Sequence, residues 1–399
     1  MQTVAIIGGG PASLALASFL DPELFDVTIF ERNKSLGRKF LVAGKGGFNL
    51  THAEAIEEFV SRYTPDWFLK DALMGFSNAD LISWLKDIGI PTFVGSSMRV
   101  FPERGIKPIE VLKAIVSVLK KNGVKFQFKH LWTGWGNEGA LLFNTDVPIK
   151  SDFHVFALGG GSWKVTGSDG GWLKYFNSIG VNTVPFIPSN CAYKINWPRD
   201  FATTNEGRPL KNITITCDAR SQKGEVVITK FGLEGNAIYA LSPQVQYNFT
   251  RINKAEIYMD LKPIFTEQEV LRRLNTSKAK KATDVLRKDL KMSAAQINLL
   301  KAHISKEDFL SHPALATRIK KLPLTVLEAA PLDEAISTTG GIDLGEVNEY
   351  YELSRMKNTF CIGEMLDWNA PTGGYLLQAS FSMGALLARH LYNERHAIL

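Results

Sequence analysis

The chain opens on an apolar run, Val4-Ala5-Ile6-Ile7 after Thr3, with no polar residue interrupting it. A run of this kind reads as a strand buried on both faces of a parallel sheet. Residues 26–30 have the same texture. Between the two, residues 12–20 are small and apolar and follow Pro11. Proline suits the first position of a helix because its missing N–H has no partner there. Residues 67–88 have helical periodicity and stop at Gly89-Ile90-Pro91. Residues 108–121 carry Val111, Leu112, Ile115, Val118 and Leu119 at amphipathic spacing and end at Asn122-Gly123. Val124, Phe126 and Phe128 alternate with polar residues, which predicts a strand covered on one face. Residues 155–158 form a further buried strand, and residues 172–179 return to helix.

The pattern changes near residues 185–190. Segments 213–217, 226–229 and 257–259 have the β-branched character of antiparallel strands. A helical, basic stretch follows from 267 to about 321. From about 328 the chain turns glycine-rich again, with a strand at 359–362 and a closing helix from Gly373-Gly374 to about residue 391. The chain therefore reads as one α/β domain in two parts, 1–190 and 328–399. An insertion at 191–327 separates them, β-rich over 191–265 and helical over 266–321.

The chemistry begins where the first strand ends. Gly8, Gly9 and Gly10 turn the chain into the helix headed by Pro11, Ala12 and Ser13, and the second strand ends at Glu31. Backbone can approach a pyrophosphate closely only where side chains are absent, and the free N–H groups of a helix start face that anion. Glu31 would accept a hydrogen bond from a ribose hydroxyl and repel a 2′-phosphate, which favours FAD or NAD over NADP. Ser13 stands where the dinucleotide fingerprint has Gly or Ala, so slightly looser helix–strand packing is expected. After Glu31 and Arg32 comes a loop too polar and glycine-rich to pack a core: Gly37, Arg38, Lys39, Gly44, Lys45, Gly46, Gly47, Asn49, Thr51 and His52. It reads as chain laid against an anionic ligand.

Ala157 lies near the end of the third buried strand, and Gly159 and Gly160 follow it without a convincing helix and acidic strand end behind them. They read as a chain crossing near the cofactor in preference to a second nucleotide site. In the final segment, Gly363-Glu364 ends a strand, and Asp367, Gly373, Gly374 and Tyr375 follow. A helix mouth at Gly373-Gly374 would stabilise negative charge at the pyrimidine end of a reduced flavin, and Glu364 would bind ribityl hydroxyls. Only FAD is long enough to use both halves of the split domain.

Composition narrows this modestly. The chain has 399 residues, 45% hydrophobic and 22% charged, with a formal net charge of +6. This fits a soluble protein of two or three domains. Cys191, Cys217 and Cys361 form no C-x-x-C pair, which fits a reducing compartment. No basic segment precedes the apolar N-terminus, and Gly8-Gly9-Gly10-Pro11 would break a spanning helix, so a cytoplasmic protein is expected. No metal cluster is expected. Arg272, Arg273, Lys278, Lys280, Lys281, Arg287, Lys288 and Lys291 read as a solvated surface, since no aromatic residue interleaves them to stack bases.

The motifs together resemble the HI0933-like, or BaiN-like, flavoproteins of the two-dinucleotide-binding superfamily. The matching stretches are 8–13, 36–39, 44–51, 157–160, 338–341, 363–367 and 372–375, so the likeness runs from end to end. It implies a Rossmann-like FAD-binding domain of the glutathione-reductase-like superfamily, split by a β-barrel-like and a helical domain. It implies that the loop at 44–51 and the Gly373-Gly374 turn flank the flavin. The chain departs from the pattern at Phe48, where many relatives have cysteine, so thiol chemistry at that position is not expected. Lys45 and Asn49 are the candidates for flavin contact during hydride transfer, and His52 is the candidate acid or base. The leading expectation is an FAD-dependent oxidoreductase transferring hydride through flavin N5, with NAD(P)H as a transient donor and a small molecule as substrate. The alternatives are an amine oxidase releasing peroxide, an RNA-modifying flavoprotein, and a flavin binder without turnover.

Overall fold

The strand Gln2–Ile7 is the middle of a five-stranded sheet, because the apolar run needs cover on both faces and a neighbour on both edges. A computed structural model describes residues 1–42, 48–145, 147–279 and 281–397. In it the sheet order is Thr359–Cys361, Phe153–Phe156, Gln2–Ile7, Phe25–Glu31, Lys125–Phe128, and every pairing is parallel. Val4 lies opposite Val27 on one side and Phe153 on the other. Val4, Ile6, Ile29 and Val155 are all buried, each stabilising by about 1.5–3 kcal/mol relative to exposure. Lys125–Phe128 is an edge strand. Its Phe126 is half-buried and its Phe128 exposed, as expected of a strand covered on one face.

The first helix is Pro11–Phe19, and its face from Ala12 to Ala17 is buried. It packs on the closing helix, Tyr375–Ala397. The two backbones meet at Gly384, where an added Cβ would lie 2.7 Å from the Leu16 amide nitrogen. Three expectations need correcting. The closing helix starts at Tyr375, not Gly373, because Gly373 (φ +121°) and Gly374 (φ +104°) have left-handed backbone. It also runs on to Ala397. Residues 67–88 are two helices, Asp66–Gly75 and Asn78–Asp87. Ser77 caps the second: its hydroxyl accepts from the Asp80 N–H while the Asp80 carboxylate accepts from the Ser77 N–H.

The chain divides into two compact units, Met1–Ile187 with Ser337–Leu399, and Pro188–Ile336. The second unit contains a closed antiparallel barrel, ordered Tyr193–Ile195, Gly232–Glu234, Arg220–Ile228, Pro209–Cys217, Ala255–Asp260 and Leu322–Ala329. Five helices from Glu267–Thr276 to His312–Lys320 lie between its last two strands. A boundary at 327 cuts the barrel strand Leu322–Ala329, which pairs with both Ala255–Asp260 and Tyr193–Ile195. The unit therefore ends at Ile336. Each unit has its own apolar core, the second built on residues such as Val226, Ile257, Leu300 and Val326. Among the described residues, no helix is long and apolar enough to cross a membrane.

Gly384→Leu should lower the stability of the first unit by about 1–3 kcal/mol, through overpacking against Leu16 and Ala15. Thermal unfolding followed by near-ultraviolet circular dichroism checks this. An unchanged midpoint would mean the helices can separate without loss.

Candidate cofactor site

The turn after the first strand is held by its own backbone. Gly8 has φ +107° and donates its N–H to the Phe30 carbonyl at 2.8 Å. A Cβ on Gly8 would sit 2.4 Å from the Ala157 carbonyl oxygen, and one on Gly9 would sit 2.5 Å from Leu36 Cδ2. Gly10 differs from both. Its backbone is extended (φ −87°, ψ −178°), and a Cβ there would meet nothing within 4 Å. It heads a nine-residue helix whose start has no side-chain cap. An open space over an uncapped helix start suits a pyrophosphate. Ser13 is fully buried and donates its hydroxyl to the Gly8 carbonyl at 2.5 Å, so the third fingerprint position tightens the turn instead of loosening it. Ala12 is buried under Gly363, whose added Cβ would touch the Ala12 Cβ at 3.1 Å.

Glu31 is buried at the end of its strand. Oε2 accepts from the Gly9 N–H at 2.8 Å, and Oε1 accepts from the Asn33 backbone and side-chain N–H groups at 2.7 and 2.8 Å. Asn33 in turn accepts from Arg38 Nη1 at 3.2 Å, and Arg38 Nη2 donates to the Val165 carbonyl. Arg32 pairs with Asp169 at 2.9 Å. Gly37 (φ +63°) brings the chain back so that its N–H reaches the Gly9 carbonyl at 2.8 Å. Gly44, Lys45, Gly46 and Gly47 lie outside the described residues. Asn49 is half-buried beside them.

A second cluster joins distant segments. Lys39 Nζ donates to the Ser162 hydroxyl at 2.8 Å and lies 3.2 Å from Glu364 Oε2, while Glu364 Oε1 accepts from the Thr338 N–H. The glycines at 159–161 make room for this crossing. A Cβ on Gly160 would lie 2.1 Å from Thr338 Oγ1, and one on Gly161 would lie 3.0 Å from the Phe186 ring. Asp367 accepts from the Gly340 N–H at 2.8 Å, and burial pushes its carboxyl above the ordinary value.

The third cluster ties the segment after the loop to the closing helix. Gly374 lies flat on Thr51, 2.5 Å from added Cβ to Thr51 Cα, and the Thr51 hydroxyl donates to Gln378 at 2.7 Å. The Tyr375 hydroxyl donates to Glu54, and the Tyr375 carbonyl accepts from the Tyr63 hydroxyl at 2.7 Å. Arg62 forks onto both Glu54 oxygens, with its shortest contact at 2.7 Å. Burial alone would raise the Glu54 carboxyl; the Arg62 and Tyr375 hydrogen bonds overcome it and hold the carboxyl below its usual value. His52 stacks on Tyr375, 5.3 Å between ring centres. Its Nε2 is 3.1 Å from the Ser97 carbonyl and its Nδ1 is 3.4 Å from the Glu54 N–H. Burial lowers His52, with Glu54 opposing. Both ring nitrogens thus face protein partners. Sequence reasoning missed Asn33, Glu54, Arg62 and Gln378. Only Asn33, two residues from Glu31, carried a positional hint.

A parallel sheet with an open glycine turn at its centre defines a dinucleotide-binding fold. The 3-ketosteroid-delta4-(5alpha)-dehydrogenase of Rhodococcus jostii RHA1, solved with 4-androstene-3,17-dione, shares it with a TM-score of 0.51 at 15% identity over 96% of both chains. The family model for the HI0933-like protein Rossmann domain matches residues 2–390, and the chain belongs to that family. It is 24% identical, over 98% of both chains, to the 3-dehydro-bile acid delta(4,6)-reductase of Clostridium scindens. It is 24% identical, over 94% of this chain and 95% of the other, to the ribosomal RNA dihydrouridine synthase of Haemophilus influenzae. The protein is an FAD-dependent oxidoreductase.

Gly10→Leu should fold with the melting profile of the flavin-free wild type, since its backbone is unstrained and its surroundings are open, yet purify without the yellow flavin colour. Full flavin content would show that the cofactor lies elsewhere. Acid should weaken the third cluster in two stages. His52 resists a proton that the unfolded chain accepts below its ordinary value, and Glu54 does the same below the ordinary carboxyl value. Stability present at pH 7 is therefore lost as pH falls through each folded value. Denaturant titrations of wild type and Glu54→Gln at stepped pH test this, the variant losing the lower-pH stage.

Proposed function

We propose that this FAD-dependent oxidoreductase works as a reductase, taking electrons from NADH or NADPH and adding hydrogen across a carbon–carbon double bond conjugated to a carbonyl in a small molecule. The observation that carries the reading is the near full-length likeness to a delta(4,6)-reductase, on a chain whose glycine turn leaves space for a pyrophosphate. FAD held there supplies hydride acceptance and donation at N5. Gly10 and the helix start behind it bind the pyrophosphate, Glu31 accepts from the ribose, and the Lys39–Glu364 pair offers donors and acceptors to the ribityl chain. Lys45 and Asn49 are proposed to border the flavin. His52 orients Tyr375 through stacking and does not act as acid or base, because its Nε2–H donates to the Ser97 carbonyl and its Nδ1 accepts from the Glu54 N–H. The nicotinamide donor docks without a second fingerprint, since the spaces at Gly159, Gly160 and Gly161 are filled by Ser168, Thr338 and Phe186.

A second reading keeps the chemistry and places it on uridine in RNA. The name of the Haemophilus relative supports it, dihydrouridine being uridine with two added hydrogens. The basic helix argues against it, because Arg272 and Arg273 both pair with Glu269.

Anaerobic stopped-flow mixing with NADH and NADPH should bleach the flavin with at least one donor. A conjugated enone should then restore the colour faster than air does. Absence of bleaching by either donor, or recolouring by oxygen alone with release of peroxide, would sink the reductase reading. Retention on ribosomal RNA that weakens with salt would favour the second reading.

A further inference from the structure

Arg99, a cation of the first unit, has no carboxylate partner among the described residues. Arg99 sits on the strand Arg99–Pro102 directly opposite His52 in the antiparallel pairing of that strand with Thr51–His52. Its side chain reaches the Gly373-Gly374 turn, where a Cβ on Gly373 would lie 3.3 Å from Arg99 Nε. Gly373 has φ +121°, so the turn exposes backbone where any other residue would bring a side chain against the guanidinium. Arg99 is partly buried, and among the described residues no carboxylate pairs with it.

The charges around it add up simply. Glu54 and Arg62 cancel in a close ion pair. His52 is lowered by burial and is neutral near pH 7. Tyr375 is raised by burial and by Glu54, and it too is neutral. Among these described groups Arg99 leaves one net positive charge at the turn. An unbalanced, partly desolvated guanidinium is costly unless an anion or a strong acceptor meets it.

We propose that Arg99 is the cation facing the bound flavin at the Gly373-Gly374 turn, where it stabilises the negative charge that the ring system takes on reduction. Two electrons and one proton leave the ring with one negative charge, and a guanidinium nearby favours that state. This rests on the reading that the flavin lies against that turn. The strand pairing gives the role a physical basis: His52, stacked on Tyr375, fixes the register that delivers Arg99.

The test uses the flavin-loaded protein, Arg99→Gln and Arg99→Lys, with two readouts that need no turnover. One is the affinity for inorganic sulfite, whose addition to a flavin puts negative charge on the same ring. The other is the flavin midpoint potential. Arg99→Gln should weaken sulfite binding by about tenfold and lower the potential by about 30 mV, the two-electron equivalent of that factor. Arg99→Lys should stay close to wild type on both. A glutamine variant with normal flavin, normal sulfite affinity and normal potential overturns the proposal, as does a lysine variant that behaves like glutamine. Should Arg99→Gln lose its flavin, FAD titration of the apoprotein decides: binding restored by lysine supports the charge role, and binding lost equally by both variants overturns it. Full flavin content and an unchanged flavin spectrum in Gly373→Leu, whose side chain would project toward Arg99, would instead defeat the underlying placement.

Discussion

The strand–turn–helix at the N-terminus has its shape because two backbones pass closer than side chains permit. Gly8 lies so near the Ala157 carbonyl that no Cβ fits between them, and its left-handed backbone excludes most residues in any case. That approach holds the central strand, its neighbour Phe153–Phe156 and the start of the first helix in one arrangement. Ser13 strengthens it from inside, donating to the Gly8 carbonyl. Glu31 strengthens it from the far side, accepting from the Gly9 N–H. With Gly8 and Gly9 crowded, the open face falls to Gly10 alone. The shape of the turn is therefore set by its own backbone and side-chain hydrogen bonds.

The closing helix depends on the same logic of close approach. Gly374 lies on Thr51 and Gly384 lies on Leu16, so the helix is set down at two points along its length. Between them, Gln378 reaches both the Thr51 hydroxyl and the Phe76 carbonyl. Glu54 sits in the middle of this assembly with two Arg62 nitrogens and the Tyr375 hydroxyl on it. A buried carboxylate is costly by itself, and here every oxygen has a donor. The result is a closely bonded corner.

Much of this was legible from the residues. Apolar runs located the parallel strands, and the spacing of Val111, Leu112, Ile115 and Leu119 gave the helix Pro108–Lys121. The glycines and Glu31 pointed to a dinucleotide because those types in that order have few other uses. What could not be read was whatever depends on distant residues meeting. Glu54 and Arg62 flank a short helix in no recognisable motif, and their pairing becomes visible only once Tyr375 arrives from the other end of the chain. Ser77 was hidden inside a stretch whose periodicity continued across it, although Asp80 stands at capping distance. The end of the insertion is hidden in the sequence for a similar reason. Leu322–Ala329 alternates like any strand, and only its partners Ala255–Asp260 and Tyr193–Ile195 assign it to the barrel.

The insertion leaves and rejoins the cofactor unit along neighbouring lines. Thr183–Ser189 and Ser337–Ile342 pair with each other, and just beyond them the Ile336 N–H donates to the Asn190 carbonyl. A loop pinched shut at its base adds little closure entropy however long it grows. The barrel and its helices, with a core of their own, amount to a cassette. They can lengthen, shorten or be exchanged over evolution without the parallel sheet losing a strand or shifting register. Sequence change in the cassette can thus accumulate while the parallel sheet and its glycine turn keep their geometry.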